Sequence, residues 1–147
     1  MKKVQLITDG SCLGNPGKGG WAAILRYGNK EKELWGSEPH TTNNRMELTA
    51  AVEGLRMLKE GCEVEVVTDS QYVKNGIQSW MKNWKKRGWL TADKKPVVNR
   101  DLWEQLDTQN NRHHTTWVWT KGHASHEHNN RADELATRAA REQTSSH

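Results

Sequence analysis

Short apolar runs and amphipathic segments alternate along this chain, and two of the apolar runs end in the same way. The run at 4–7 leads into Asp9 and a glycine-rich turn, so it predicts a strand with Asp9 at its carboxyl end. The run at 64–67 leads into Asp69 through an identical Thr-Asp pair. Two separate strands are therefore predicted to deliver an acid to their ends.

The segments at 20–27 and 30–36 are separated by Gly28 and Asn29, a pair that is typical of a β-hairpin turn. Lysine and glutamate alternate at the start of the second segment, which favours a strand at the edge of a sheet. The hairpin adds two strands to the predicted sheet.

Apolar residues recur with helical spacing at 48–58, after a polar cap region, and predict a helix that ends at Gly61. Glu47 then lies in the first turn of this helix. Because the helix connects the two acid-bearing strands, the connection is a crossover, which favours parallel pairing of those strands. Asp9 and Asp69 are then expected to face each other across the strand spacing of about 5 Å.

The rest of the chain follows the same alternation. It predicts a helix around 102–106, a strand at 115–120 and a last helix at 130–139, with Asp133 near the start of that helix. The small polar residues at 143–147 are expected to be frayed. The predicted fold class is therefore α/β.

Length and cysteine usage bound the domain count and the compartment. With 147 residues, the chain can form one domain with a substantial core, which we place at 1–142. Cys12 and Cys62 lie far apart in the predicted fold and are interpreted as free thiols. The N-terminus carries no apolar leader, and no apolar run approaches the length of a membrane span. We therefore expect a cytoplasmic protein with no membrane contact.

The net charge of +4 is concentrated in one segment. Between residues 80 and 99, six lysines and arginines occur against a single acid, and Trp80, Trp84 and Trp89 lie among them. A run of charge alone is usually a solvated surface, but interleaved aromatic residues favour nucleic-acid binding. We interpret this segment, about 80–99, as a basic protrusion that binds nucleic acid.

Four acids lie near the ends of predicted elements: Asp9, Glu47, Asp69 and Asp133. Taken singly, each is explained by turn formation or by a favourable interaction with a helix dipole. Open α/β sheets gather strand ends at one edge, and clustered carboxylates there suit Mg²⁺ or Mn²⁺. The repeated Thr-Asp ending and the order of elements favour a metal site over four independent structural roles.

Six motifs, in order along nearly the whole chain, resemble those of bacterial type 1 ribonuclease H. They are TDGSCLGNPG at 8–17, NNRMEL at 43–48, TDSQYV at 68–73, WKKRGW at 84–89, KGHA at 121–124 and the segment 129–136. The resemblance implies a single-domain, five-stranded mixed sheet flanked by helices. It also implies an endonuclease that cuts the RNA strand of RNA/DNA hybrids with two Mg²⁺ ions, which Mn²⁺ can replace. The products would carry 5′-phosphate and 3′-hydroxyl ends.

The resemblance also implies roles for individual residues. The four acids become metal-binding catalytic residues, and His123 becomes a mobile histidine that assists turnover. The residues implied to contact the substrate are Cys12, Asn15, Thr42, Asn43, Asn44, Gln71, Trp80, Trp84, Lys85, Lys86, Arg87, Trp89 and Asn99.

Within this set, the amide side chains of Asn15, Asn43, Asn44 and Gln71 resemble residues that read the minor groove. Amides both donate and accept, which suits 2′-hydroxyls and base edges, although turn and helix-cap roles remain the alternative for the two adjacent asparagines. On the DNA strand, Thr42 and Asn99 resemble a phosphate pocket, and Trp80 resembles the aromatic residue that packs on deoxyribose.

Three residues depart from the family pattern. His40 stands where arginine is common beside the phosphate pocket, Ser125 replaces a glycine in the loop of His123, and Asn130 stands where an acid is frequent. The expected partner is an RNA/DNA hybrid, with no obligate protein partner and a monomeric state.

Two alternatives stay open at this point. One is a different nuclease on the same fold, such as a transposase, an integrase or a resolvase-like enzyme, and the other is a non-catalytic hybrid-binding module. The amide set and the basic protrusion argue against the first, and the complete set of acids argues against the second.

Overall fold

The computed structural model describes residues 1–120 and 127–146, in which strands and helices alternate. The strands are β1 (Lys2–Cys12), β2 (Gly17–Tyr27), β3 (Lys30–Thr41), β4 (Cys62–Thr68) and β5 (His114–Trp119). The helices are α1 (Asn43–Met57), α2 (Gln71–Asn75), α3 (Met81–Lys86), α4 (Arg100–Arg112) and α5 (Glu127–Glu142). A π-helical turn, Gly76–Trp80, connects α2 to α3.

The five strands form one mixed sheet in the order β3-β2-β1-β4-β5. The first three strands pair antiparallel, whereas β4 runs parallel to both β1 and β5. Ile7 pairs with Val67, so the two Thr-Asp endings reach the same edge of the sheet. The predicted fold class, the hairpin and the parallel pairing of the acid-bearing strands are confirmed.

Both faces of the sheet are covered, and β1 supplies side chains to each of them. Leu6 belongs to the larger core, which lies under α1 and α4, whereas Ile7 belongs to a smaller core under α5. Successive side chains on a strand point to opposite faces, so a strand that is buried on both sides carries an unbroken apolar run. This double burial explains why Leu6 and Ile7 are adjacent apolar residues.

Helix α1 differs from its prediction at both ends. Thr42 caps its start, because the Thr42 hydroxyl accepts a hydrogen bond from the backbone N–H of Arg45 at 3.3 Å. Glu47 is therefore in the second turn of the helix, not in the first as predicted. The helix ends at Met57 with Leu58 as its C-cap, so the predicted end at Gly61 is also wrong.

The segment from α2 to α3 is helical, and the sequence pattern did not predict this. Gly76 begins the π-helical turn between the two helices and lies directly against the ring of Trp103. A Cβ atom on this glycine would lie 1.9 Å from a ring carbon of Trp103, so only glycine allows the approach. Lysines and the exposed Trp80 obscured the apolar face of this segment.

The chain end is paired with the sheet along residues 143–146, where fraying had been expected. Gln143 turns the chain with a φ of 53°, and the backbone N–H of Ser146 then donates to the carbonyl of Trp35 at 2.9 Å. The backbone N–H of Trp35 donates in return to the Ser146 hydroxyl at 3.0 Å. The tail therefore covers part of the free edge of β3. Within the described residues, no helix has the length and apolar character needed to cross a bilayer.

Candidate active site

Three carboxylates meet where the acid-bearing strands end. Asp69 directly follows β4, and Glu47 lies on α1. Asp9 is not the last residue of its strand as predicted, because β1 continues to Cys12 in antiparallel pairing with β2; it lies just past the last parallel pair of β1 and β4. One ligand atom from each of the three lies within 4.8 Å of the others. The structure thus brings together three of the four acids that the sequence singled out, in a group close enough to share a cation.

Gly10 explains how a helix residue reaches the end of a strand. A Cβ atom at Gly10 would lie 2.5 Å from the backbone nitrogen of Glu47 and 2.6 Å from the carbonyl carbon of Met46. Backbone cannot move aside as a flexible side chain can, so a larger residue would push α1 away from β1. The glycine after Asp9 therefore sets the short distance between Asp9 and Glu47.

The buried carboxylates strongly resist ionisation. Asp9 is 4% exposed and Glu47 is 6% exposed. Burial, together with the charges of Asp69 and Asp133, raises the pKa of Asp9 to about 8. Burial also raises the pKa of Glu47 well above its usual value, with the charge of Asp9 as the next cause. The cluster therefore carries a large electrostatic cost that a bound cation would remove.

Buried oxygens of Asp9 and Glu47 have no hydrogen-bond donor among the described residues. They are Oδ2 of Asp9 and Oε1 of Glu47, whereas the other Asp9 oxygen accepts from the backbone N–H of Gly10 at 2.9 Å. Buried carboxylate oxygens without a donor are costly, unless a cation provides the missing interaction. The donor set is entirely carboxylate oxygen, which suits Mg²⁺ or Mn²⁺.

Asp133 lies on α5 and lines the same cleft from the other side of the sheet edge. It stands outside the tight group of three, although its charge contributes to the raised pKa of Asp9. The cleft is open and has a volume of about 610 Å³. Four of the predicted substrate residues line it beside the acids: Cys12, Asn43, Asn44 and Gln71.

Two further predicted substrate residues hold the cleft wall together. The Asn15 side-chain oxygen accepts from the backbone N–H of Asn43 at 3.2 Å, which ties the glycine-rich turn to the start of α1. Thr42 caps the same helix. The cap alternative is thus realised by Thr42, while Asn43 and Asn44 are exposed and face the cleft.

The predicted aromatic contacts divide into exposed and packed side chains. Trp80 is 36% exposed and lies edge-on to Tyr72, with ring centroids 5.6 Å apart. Trp84 packs between Trp80 and Trp103, at centroid distances of 5.8 Å and 5.4 Å. Trp84 and Trp89 are both partly buried against the main core. They support the protrusion, whereas Trp80 is exposed to solvent.

The basic residues of α3 and its end also differ from one another. The ammonium group of Lys85 lies 3.1 Å from a carboxylate oxygen of Asp107 on α4, so Lys85 attaches the protrusion to the body of the protein. All three residues are exposed, but Lys86 and Arg87 form no ion pair among the described residues. The structure therefore separates one anchoring lysine from two cations that face solvent.

Sequence reasoning did not single out two residues at the cleft. The indole N–H of Trp119 donates to the backbone carbonyl of Asp69 at 3.1 Å, and Lys74 lies over the Trp119 ring at 4.4 Å. The hydroxyl of Tyr72 accepts from Asn99 and from Trp103, each at 3.0 Å. No spacing rule identifies such residues, because their partners are distant in sequence.

Some of the predicted positions lie outside the described residues. His123 and Ser125 belong to this group. Asn130 is exposed on α5, and His40 is exposed near the end of β3.

Comparison with known proteins gives one consistent result. The RNase H family model matches residues 1–141. A protein named ribonuclease H from Solibacter usitatus (strain Ellin6076) is 71% identical over 146 residues, which span 99% of this chain and 100% of that protein. A ribonuclease HI from Neisseria meningitidis serogroup B is 59% identical, over 93% of this chain and 94% of that protein. Among solved structures, the chain is similar to LC9-RNase H1, a type 1 RNase H with the type 2 active-site motif. That match has a TM-score of 0.89 and 34% identity, and it covers 99% of this chain and 75% of that one.

Proposed function

Since this chain belongs to the ribonuclease H family, we propose that it cleaves the RNA strand of RNA/DNA hybrids by two-metal hydrolysis, leaving 5′-phosphate and 3′-hydroxyl ends. Ribonuclease H enzymes are hydrolases that act on RNA in such hybrids. The observation that carries the proposal is the group of three carboxylates with ligand atoms within 4.8 Å of one another.

The residues of this site fit divalent metal ions. Asp9, Glu47, Asp69 and Asp133 would hold two Mg²⁺ ions, or Mn²⁺ in their place, because all four offer carboxylate oxygens. Bound Mg²⁺ supplies an activated water, a stabilised leaving 3′ oxygen and neutralisation of the scissile phosphate. The raised pKa of Asp9 means that this carboxyl must release a proton when it becomes a ligand, so metal binding is expected to weaken as the pH falls.

The residues around the acids have separate tasks in this proposal. Asn43, Asn44 and Gln71 line the cleft and would contact 2′-hydroxyls and base edges of the hybrid in the minor groove. Asn15 would hold the turn beside them in place through its hydrogen bond to Asn43.

The DNA strand would cross a different part of the surface. Thr42 and Asn99 would hold one of its phosphates, and the exposed face of Trp80 would pack against a deoxyribose. Lys86 and Arg87 would add phosphate contacts further along the protrusion. His123 is proposed to move protons during turnover, since an imidazole titrates near neutral pH. We also propose that the protein acts as a monomer in a reducing cytoplasm, which agrees with the free thiols of Cys12 and Cys62.

The proposal is tested with three duplexes of one sequence: an RNA/DNA hybrid, a double-stranded RNA and a double-stranded DNA. We expect the RNA of the hybrid alone to be cut, only with Mg²⁺ or Mn²⁺, and the fragments to be ligatable without prior phosphorylation. Asp69→Asn should abolish cleavage, whereas Asp93→Asn, an exposed acid of equal charge on the protrusion, should cut normally. Cleavage of both homoduplexes would favour a different nuclease, and hybrid binding without any cleavage would favour a binding module.

A further inference from the structure

Arg45, on the first turn of α1, contacts both residues that we assign to the DNA phosphate. Its backbone N–H donates to the Thr42 hydroxyl oxygen at 3.3 Å, and its guanidinium donates to Oδ1 of Asn99 at 3.2 Å. Thr42 and Asn99 are far apart in sequence, one before α1 and the other before α4. Any residue at position 45 would supply the backbone bond to Thr42, so the specific contribution of the Arg45 side chain is its contact to Asn99. That contact holds Asn99 close to the start of α1, which Thr42 caps.

Asp101 holds the Arg45 side chain in one orientation. The two carboxylate oxygens of Asp101 accept from the two terminal nitrogens of Arg45, at 3.0 Å and 2.8 Å. Such a two-point contact fixes the plane of a guanidinium, which a single contact does not. It also offsets the positive charge locally, so Arg45 is better suited to orient a neighbour than to attract a phosphate.

The orientation of the Asn99 amide follows from the chemistry of its two neighbours. A guanidinium has donors only, so the amide oxygen must face Arg45 and the amide nitrogen must face the hydroxyl of Tyr72, 3.0 Å away. The Tyr72 hydroxyl is itself held by the indole N–H of Trp103, which is fully buried. Both ends of the amide are therefore fixed by side chains whose own positions are fixed.

Thr42 and Asn99 each keep one hydrogen-bond donor that is free to bind a ligand. Thr42 uses its oxygen to accept from Arg45, which leaves its O–H proton free to donate. Asn99 uses one N–H to reach Tyr72, which leaves a second N–H. Without the Arg45 side chain, the Asn99 amide could rotate by about 180° and present its oxygen to the phosphate. The phosphate oxygens would repel the amide oxygen.

We propose that Arg45 is a positioning residue whose guanidinium holds Asn99 beside Thr42, so that these two residues present a pair of donors to one phosphate of the DNA strand, with Tyr72 holding the far end of the Asn99 amide. This inference rests on the proposed function. The rival explanation is a direct contact between the Arg45 charge and a phosphate. The two explanations predict different results for Arg45→Lys. Lysine keeps the charge but cannot hold Asp101 at two points while also reaching Asn99.

The test uses Arg45→Ala, Arg45→Lys and a set of hybrids in which one DNA phosphate at a time is an uncharged methylphosphonate. Steady-state cleavage gives KM and kcat, and the Kd is measured by anisotropy in EDTA, where no cleavage occurs. With the unmodified hybrid, both variants should raise KM and Kd about tenfold and change kcat less than about twofold. At one methylphosphonate position, the KM and Kd of wild type should also rise about tenfold. The KM and Kd of the variants should not rise further at that position.

Arg56→Lys is the matched control. Arg56 also lies on α1 and also reaches α4, through Gln105 at 2.9 Å, but it contacts neither Thr42 nor Asn99. Its KM, Kd and response to every methylphosphonate should equal those of wild type.

Three results would overturn the inference. The first is a wild-type KM in Arg45→Lys. The second is a loss of affinity from the Arg45 substitution that adds to the loss from the methylphosphonate at every position tested. The third is a change in kcat instead of KM. If the Arg45 variants unfold, Tyr72→Phe tests the inference instead. It should raise the Kd of the unmodified hybrid severalfold, and it should not raise the Kd of the hybrid whose methylphosphonate replaces the phosphate held by Thr42 and Asn99. Failure of the proposed function is read separately, as absence of Mg²⁺-dependent cleavage by wild type, because the Kd measurements do not depend on cleavage.

Discussion

At the scale of the residue, the acidic cluster that would bind metal destabilises the metal-free protein when its carboxyl groups ionise. Asp9 is buried beside two other carboxylates, and its pKa is raised to about 8. A group whose pKa is higher in the folded state than in the unfolded state binds more protons when folded. The stability that it contributes is therefore present at low pH and is lost as the pH rises towards 8.

Asp9→Asn should therefore stabilise the metal-free protein, and the gain should increase with pH. Near pH 5, Asp9 is protonated and asparagine resembles it, so we expect a small difference in melting temperature. Near pH 9 the charge is gained only by wild type, and the variant should be more stable by about 1–3 kcal/mol. Thermal melts in EDTA at both pH values measure this gain.

The same substitution should abolish hybrid cleavage and weaken Mg²⁺ binding in calorimetry. Asp93→Asn changes the charge equally at an exposed position and should show neither effect. A variant that cut hybrids at the wild-type rate would contradict the assignment of Asp9 as a metal ligand.

Lys94 offers a second test at this scale, on backbone strain. It is exposed and has a φ of 63°, in the left-handed region that disfavours every side chain with a Cβ atom. Lys94→Gly removes a strain of about 1–2 kcal/mol and adds an unfolded-state entropy cost of about 0.5–1 kcal/mol. We expect a net gain of up to about 1 kcal/mol in urea melts.

Lys95→Gly is the control, because Lys95 is equally exposed and has a negative φ. Glycine there carries the entropy cost without relieving strain, so this variant should be less stable than wild type. Equal stability changes in the two variants would show that the left-handed conformation at Lys94 is not strained.

At the scale of the element, the basic protrusion combines anchoring and binding residues. Lys85 is paired with Asp107, while Lys86 and Arg87 face solvent. The variant Lys86→Ala/Arg87→Ala should raise KM for the hybrid and flatten the dependence of log Kd on log salt by up to about 0.9 per residue. Its kcat should remain near that of wild type.

Lys85→Ala separates the two roles. It should leave the salt dependence nearly unchanged and lower the free energy of unfolding by about 0.5–1 kcal/mol, because Asp107 loses its partner. Hybrid binding titrated at four salt concentrations, together with a thermal melt, measures both quantities. A salt slope that Lys85→Ala flattens as much as the double variant would place Lys85 among the phosphate contacts.

At the scale of the whole molecule, one buried histidine connects elements that are distant in sequence. Nδ1 of His113 accepts from the backbone N–H of Cys62 at 3.1 Å, so its Nε2–H is the group that faces the carbonyl of Leu55, 3.2 Å away. Burial lowers the pKa of His113, with the charge of Arg112 acting in the same direction. A proton on Nδ1 would face the Cys62 N–H and break the connection between β4 and the start of β5.

Acidification should therefore destabilise the fold through His113. Below a pH of about 6.5 the unfolded chain binds a proton on this histidine and the native protein does not. The free energy of unfolding therefore decreases as the pH is lowered, until the pH reaches the lowered pKa of the native histidine. Each unit of pKa difference is worth about 1.4 kcal/mol.

Melting temperatures between about pH 5 and 7 should show this loss in an Asp9→Asn background, where the opposite trend of the acidic cluster is reduced. Adding His113→Gln should remove the loss. A loss that persists in the double variant would show that other groups cause the acid sensitivity.

The sequence alone determined the local elements and the chemistry available to them. Thr-Asp endings, helical spacing and a glycine turn act over a few residues, so they predicted the hairpin, the two acid-bearing strands and the crossover between them. The crossover also predicted that Asp9 and Asp69 would meet, because handedness and pairing rules leave few other arrangements. The family motifs added His123 and the substrate residues.

Only the tertiary structure decided which of these side chains are free to act. Lys85 and Lys86 are adjacent, identical in type and both exposed, yet among the described residues only Lys85 is paired with an acid, Asp107 on another helix. The roles of Arg45 and Tyr72 likewise depend on partners that lie 54 and 27 positions away. Such contacts follow from how helices pack on the sheet, which depends on side-chain volumes throughout the core and not on any local pattern.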